Sequence, residues 1–208
     1  MTKVIGFDLD DTLVPEVLFV KSGIHYIASW LCQRYPVIKP IRVISCMESA
    51  LLARINHYSA LENLLVEYGM QEDVDMKDVV NRFRCHKPDP LIYHLSPHFE
   101  ALLSRLCSAG CKLVLITDGR SVTQRNKIEA ARLYRYFDND DILISGETGF
   151  DKTHPDNFLY VMRKYAGAEE YHYIGDNPQK DFMHPPKLGW KVHRAHPFPL
   201  AVHQGIPR

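Results

Sequence analysis

At 208 residues, with 25 basic and 25 acidic side chains scattered along its length, the chain is sized for one core plus a small appendage. It offers neither a basic stripe for nucleic acid nor a polybasic anchor for a membrane surface. No apolar run reaches the ~18 residues of a membrane-spanning helix, and Met1-Thr2-Lys3 running straight into a strand is not a secretory signal, so a cytoplasmic protein is expected.

Lys3-Val4-Ile5-Gly6-Phe7 is an apolar run of strand length that ends in Asp8-Leu9-Asp10-Asp11-Thr12. A buried strand thus delivers carboxylates to its own C-terminal tip, where an open parallel sheet places its active site. One extended step further, Asp8 and Asp10 share a side and Leu9 points away. Two like charges about 4 Å apart cost roughly 4 kcal/mol at an effective dielectric of about 20. Either a hard divalent cation with oxygen ligands offsets that cost, or the acids are solvated and cap the helix that follows.

After Pro15 and Glu16 the period becomes helical. Ile24, Ile27, Ala28, Leu31 and Cys32 line one face up to Tyr35-Pro36. A longer helix is expected after Pro40, carrying Ile44, Met47, Leu51, Ile55, Leu61, Leu65 and Tyr68 to a stop at Gly69. A third carries Met76, Val79, Val80 and Phe83. Residues 16–87 therefore read as an all-helical insertion, and Lys87-Pro88-Asp89-Pro90 as a stiff connection out of it.

Beyond that connection strand and helix alternate. A helix over Pro97 to Ser108 stops near Gly110; Lys112 to Ile116 is a buried strand ending in Thr117-Asp118-Gly119-Arg120; Ser121 with Gln124 reads as a capping box. Asp141 to Ser145 is strand-like, and Pro155 opens a helix capped by Thr153 or His154. Tyr171 to Ile174 is a strand ending at Gly175-Asp176, a short helix is broken at Pro185-Pro186, and Trp190 to His193 is a last strand. This order predicts an α/β fold, a parallel sheet covered by helices on both faces.

The five cysteines form no C-x-x-C pair and are taken as reduced structural thiols, Cys107 and Cys111 as a partly buried pair. The eleven histidines form no helical metal-binding pair; the nearest group is His193, His196 and His203 in a proline-broken tail.

In a parallel sheet the ends of the strands at Asp8, Thr117 and Asp176 converge on one crevice, and Lys152, just before a helix, can lean into it. The D-x-D-x-T of Asp8, Asp10 and Thr12, the strand-terminal Thr117, Lys152 and the G-D-x-x-x-x-D of Asp176 and Asp181 resemble, in order, the four motifs of the haloacid dehalogenase (HAD) superfamily. The helical insertion falls where subclass I members carry their cap. The resemblance implies a Rossmann-like three-layer core at 1–15 and 88–208 and a helical cap domain at 16–87.

It further implies a phosphatase acting on a small phosphorylated metabolite, with no nucleic-acid or membrane partner. Asp8 matches the nucleophile that becomes an aspartyl-phosphate, and Asp10 the general acid and base. Thr117, the backbone N–H of Asp118, and Lys152 match the phosphate-binding groups. Mg²⁺ would be held by Asp8, the Asp10 carbonyl and Asp176, with Asp181 orienting its surroundings. Thr12 has a supporting place, bonding the next turn or the site directly. Asp11 is expected to be a solvated or helix-capping acid outside the chemistry. A sugar-phosphate phosphomutase shares this architecture and is the alternative; Asp10 speaks against a dehalogenase, and the four intact motifs against a non-catalytic binding module.

Overall fold

The computed structural model describes residues 2–195; His196, His203 and the rest of the proline-broken tail lie outside that range. Five parallel strands form one sheet: β1 (Lys3–Phe7), β2 (Lys112–Thr117), β3 (Ile142–Ile144), β4 (Glu170–Gly175) and β5 (Lys191–Arg194), in the order β3-β2-β1-β4-β5. β1 is central because it is apolar on both faces. Ile5 and Phe7 join the larger apolar cluster on one side, and Val4 joins Val114, Ile116, Phe158, Tyr173 and Trp190 on the other. The sequence after β1 builds to one side of it through β2 and β3, and then crosses to the other through β4. The strand ends at this reversal open the crevice in which α/β sheets bind ligands.

Between β1 and β2 lie α1 (Glu16–Arg34), α2 (Pro40–Leu52), α3 (His57–Glu67), α4 (Met76–Cys85) and α5 (Pro97–Ser108). The larger apolar cluster runs without interruption from Phe7 through Leu9 and Leu13 into Val20, Ile24, Met47, Leu61 and Phe83. Each of these helices thus buries its apolar stripe against the same body of side chains as the sheet. After β2 come α6 (Ser121–Ala130), the single turn α7 (Ser145–Thr148), α8 (Asp156–Lys164) and the single turn α9 (Pro178–Asp181). Helices cover both faces of the sheet, as the alternation of elements predicts. No helix among the described residues is long and apolar enough to cross a membrane.

Four local expectations are corrected. The single long helix after Pro40 is two helices, because Arg54 turns left-handed at φ 58° and the Asn56 side chain accepts from the N–H of Tyr58, starting α3 afresh. Ser121 and Gln124 form no capping box: α6 has no side-chain cap, the Ser121 hydroxyl donates to Glu147, and Gln124 turns inward. Neither Thr153 nor His154 caps α8, which starts at Asp156 after Pro155; Asp151 instead closes that turn by accepting from Thr153. Cys107 is exposed rather than partly buried; all five cysteines are free.

Candidate active site

The first strand hands directly into the site. The N–H of Asp8 still bonds the carbonyl of Ile174 at 2.9 Å, extending the β1–β4 pairing by one residue. The chain then turns sharply, with the N–H groups of Leu13 and Val14 both returning to the carbonyl of Leu9. Leu9 is buried in the core, so Asp8 and Asp10 face away from it. The turn places Asp11 in the left-handed region at φ 54°, a conformation short acidic side chains tolerate. Its carboxylate accepts from the N–H of Glu16 at 2.8 Å and so caps the start of α1. Asp11 is fully buried, so the helix-capping expectation holds and the solvated one does not. Thr12 is also fully buried, and its hydroxyl makes no hydrogen bond among the described residues.

Asp8, 5% exposed, meets Lys152, 4% exposed, at 2.7 Å. Lys152 reaches Asp181 at 2.5 Å as well, so one ammonium bridges two carboxylates. Asp181 is held from its other oxygen by the N–H of Asn177 at 2.8 Å. Gly175 makes room for this arrangement: a Cβ there would collide with the Asp181 carboxylate. One ligand atom each from Asp8, Asp176 and Asp181 lie within 4.8 Å of one another. Burial pushes the Asp8 carboxyl well above its ordinary range, with Asp181 and Asp10 adding to the effect and Lys152 opposing it. Burial also works against the Lys152 ammonium, but Asp8 and Asp181 outweigh it and hold that group charged above an ordinary lysine.

The end of β2 contributes Thr117 and Asp118. The Asp118 carboxylate accepts from the N–H of Lys152 at 3.0 Å and pairs with Lys180 at 3.0 Å, fixing the loop that carries Lys152. Thr117, 1% exposed, accepts from the amide of Gln124 at 2.8 Å. The same nitrogen reaches Asp10 at 3.0 Å, and Lys127 meets both oxygens of Asp10 at 2.7 and 2.9 Å.

These groups line a cavity of about 290 Å³ at the C-terminal ends of β1, β2 and β4, with Arg84 of α4 and Phe19 of α1 contributing to its wall. Asp8, Asp10, Thr117, Asp118, Lys152 and Asp176 all face it, while Asp181 stands behind Lys152, and Thr12 is not among its lining residues. Polar residues of the site that escape the sequence reading include Gln124, Lys127, Lys180 and Arg84. Lys180 lies inside the G-D-x-x-x-x-D stretch, and Gln124 and Lys127 sit three apart on one helix face beside the buried Ile128. That spacing was the available signal.

A family model for haloacid dehalogenase-like hydrolases matches residues 2–182. The glyceraldehyde 3-phosphate phosphatase of Methanocaldococcus jannaschii is 27% identical over 205 residues, covering 91% of this chain and 82% of its own. A phosphoserine phosphatase of Thermus thermophilus is 40% identical over 90 residues, 43% of this chain and 35% of its own. Among solved structures, a HAD phosphatase from Thermococcus onnurineus superposes with a TM-score of 0.55 at 22% identity, covering 91% of this chain and 84% of its own. YfnB of Bacillus subtilis, described as a HAD-type hydrolase, superposes at 0.62 with 20% identity, covering 92% and 85%.

Proposed function

The chain belongs to the haloacid dehalogenase-like hydrolases, and from that premise we propose that it is a Mg²⁺-dependent phosphatase that hydrolyses a small phosphomonoester through an aspartyl-phosphate on Asp8. The observation that carries this reading is the buried Asp8–Lys152 pair, 2.7 Å apart, at the tip of β1 and open to a cavity walled by Thr117 and Asp176. The phosphatase names of the curated relatives point the same way.

The donor set fits a hard divalent cation, because three carboxylates with oxygens within 4.8 Å of one another supply the anionic oxygen ligands such an ion takes. Asp8, Asp176 and the Asp10 carbonyl would hold Mg²⁺, with Asp181 orienting their surroundings. Bound there, Mg²⁺ supplies charge neutralisation between an anionic nucleophile and an anionic phosphate.

The rest of the chemistry falls to the chain. An oxygen of Asp8 attacks phosphorus as the ester P–O bond breaks, and Asp10 gives its proton to the departing oxygen. Asp10, now a carboxylate, takes a proton from the water that attacks the aspartyl-phosphate, returning Asp8 and releasing inorganic phosphate. Lys152 balances the charge of Asp8 and of the phosphate oxygens, while the Thr117 hydroxyl and the Asp118 N–H hold the phosphoryl group in line. We read 16–87 as a cap over this crevice and 1–15 with 88–208 as the catalytic core. Arg84 and Phe19 would then bring the cap to the substrate.

Hydrolysis of 4-nitrophenyl phosphate with and without Mg²⁺ tests the reading, followed by a panel that includes glyceraldehyde 3-phosphate and phosphoserine. Metal-dependent phosphate release well above that of Asp8→Asn supports it. No release above that variant across the panel overturns it.

A further inference from the structure

Lys127 has no role in that mechanism, yet it is 2% exposed, and a buried ammonium is costly unless it is paired. It comes from the middle of α6 and meets both Asp10 oxygens, at 2.7 and 2.9 Å. Another side of the ammonium rests 4.5 Å from the centre of the Phe19 ring, a cation–π arrangement with α1. Gln124, one turn earlier on α6, donates to Asp10 Oδ2 at 3.0 Å. Both oxygens of Asp10 are therefore held by donors from one helix, and rotation of the carboxylate would break at least one of these bonds. Lys152, by contrast, bonds Asp8 and Asp181, so these two ammonium groups have separate acidic partners.

We infer that Lys127 is a positioning residue for proton transfer: with Gln124 it sets the orientation of Asp10 toward the leaving oxygen and, later, toward water. The inference rests on the reading of Asp10 as the general acid and base. If Lys127 acts through Asp10, its loss matters in proportion to how much the reaction needs a proton. An alkoxide leaving group needs one and dinitrophenolate does not, whereas a lysine that simply bound phosphate would affect both substrates alike.

The test measures kcat/KM, which reports the steps through phosphorylation of Asp8, on the full chain with Mg²⁺. The enzymes are wild type, Lys127→Met, Asp10→Asn and the double variant; the substrates are glycerol 3-phosphate and 2,4-dinitrophenyl phosphate. The double variant removes both charges, so it leaves no buried charge unpaired should Lys127→Met alone unfold. Lys127→Met is expected to lose about tenfold more on glycerol 3-phosphate than on the dinitrophenyl ester. Added to Asp10→Asn, it is expected to change kcat/KM on glycerol 3-phosphate by less than about twofold. Equal losses on the two substrates, or losses that multiply with those of Asp10→Asn, overturn the inference. Should wild type release no phosphate above Asp8→Asn from these two esters or from the panel above, the hydrolytic reading fails and takes this inference with it; an active wild type without the substrate split sinks the Lys127 role alone.

Discussion

Gln124 donates from Nε2 to the hydroxyl oxygen of Thr117 at 2.8 Å. With that oxygen engaged as an acceptor, the hydroxyl hydrogen is left to be donated elsewhere, and Thr117 lines the cavity. The helix after β2 thus prepares a donor at the place where the proposed mechanism needs one for a phosphate oxygen.

Removing the tether should weaken phosphate binding without touching the nucleophile. For Gln124→Met we expect KM and the inhibition constant of inorganic phosphate to rise together by about three- to tenfold, the size of one neutral hydrogen bond. Product-inhibition kinetics measure both. An inhibition constant equal to that of wild type would show that the amide does not orient Thr117 for binding.

Lys152 bridges two buried carboxylates, so its removal leaves both without their shared ammonium. Lys152→Met should cost about 3–5 kcal/mol in urea unfolding with EDTA present. Adding Asp181→Asn, which removes one of the stranded charges, should recover part of the loss. A Lys152→Met variant as stable as wild type would mean that the carboxylates are neutral in the folded protein.

Metal binding can be followed without any turnover. At a Mg²⁺ concentration about 100 times its Kd, the folded state gains about 2.7 kcal/mol, seen as a rise in the thermal midpoint. Asp176→Asn should abolish most of that rise, because it removes one of the three clustered carboxylates. An equal rise in the variant would exclude Asp176 as a ligand.

His57, the first residue of α3, is buried among the rings of Tyr58 and Phe83, and neither ring nitrogen has a hydrogen-bond partner among the described residues. Burial lowers its pKa from 6.5 to about 4. Between those values the unfolded chain binds a proton that the folded chain does not, so this contribution is complete above pH 6.5, falls as the pH drops and is flat below about 4. The total is up to about 3 kcal/mol. His57→Phe should flatten the stability profile between pH 6.5 and 4 in denaturant titrations; a profile as steep as wild type would place the acid sensitivity elsewhere.

Much of the architecture was legible because it depends on local periodicity. The runs ending at Asp8, Thr117 and Gly175 are strands, the first two of them buried, and the helical spacing after Glu16 is real. The break at Arg54 was missed because Leu51, Ile55 and Tyr58 keep helical spacing across it, whereas a left-handed residue and the Asn56 cap interrupt the backbone there. The capping box failed for a different reason. Ser121 and Gln124 have the right types and spacing, but Glu147 and the Thr117–Asp10 pair are stronger partners for them than the helix end.

By itself, the sequence determined which strand tips carry acids, and that Asp8, Thr117, Lys152 and Asp176 would meet, since a parallel sheet gathers its strand ends into one crevice whatever lies between them. Only the tertiary structure decided who neutralises whom. Lys127 lies 117 positions from Asp10, and nothing in the spacing of either residue marks the other as its partner. That pairing arises because α6 packs beside the loop after β1, where burial excludes water from Lys127 and leaves Asp10, at the cavity edge, as its anionic partner.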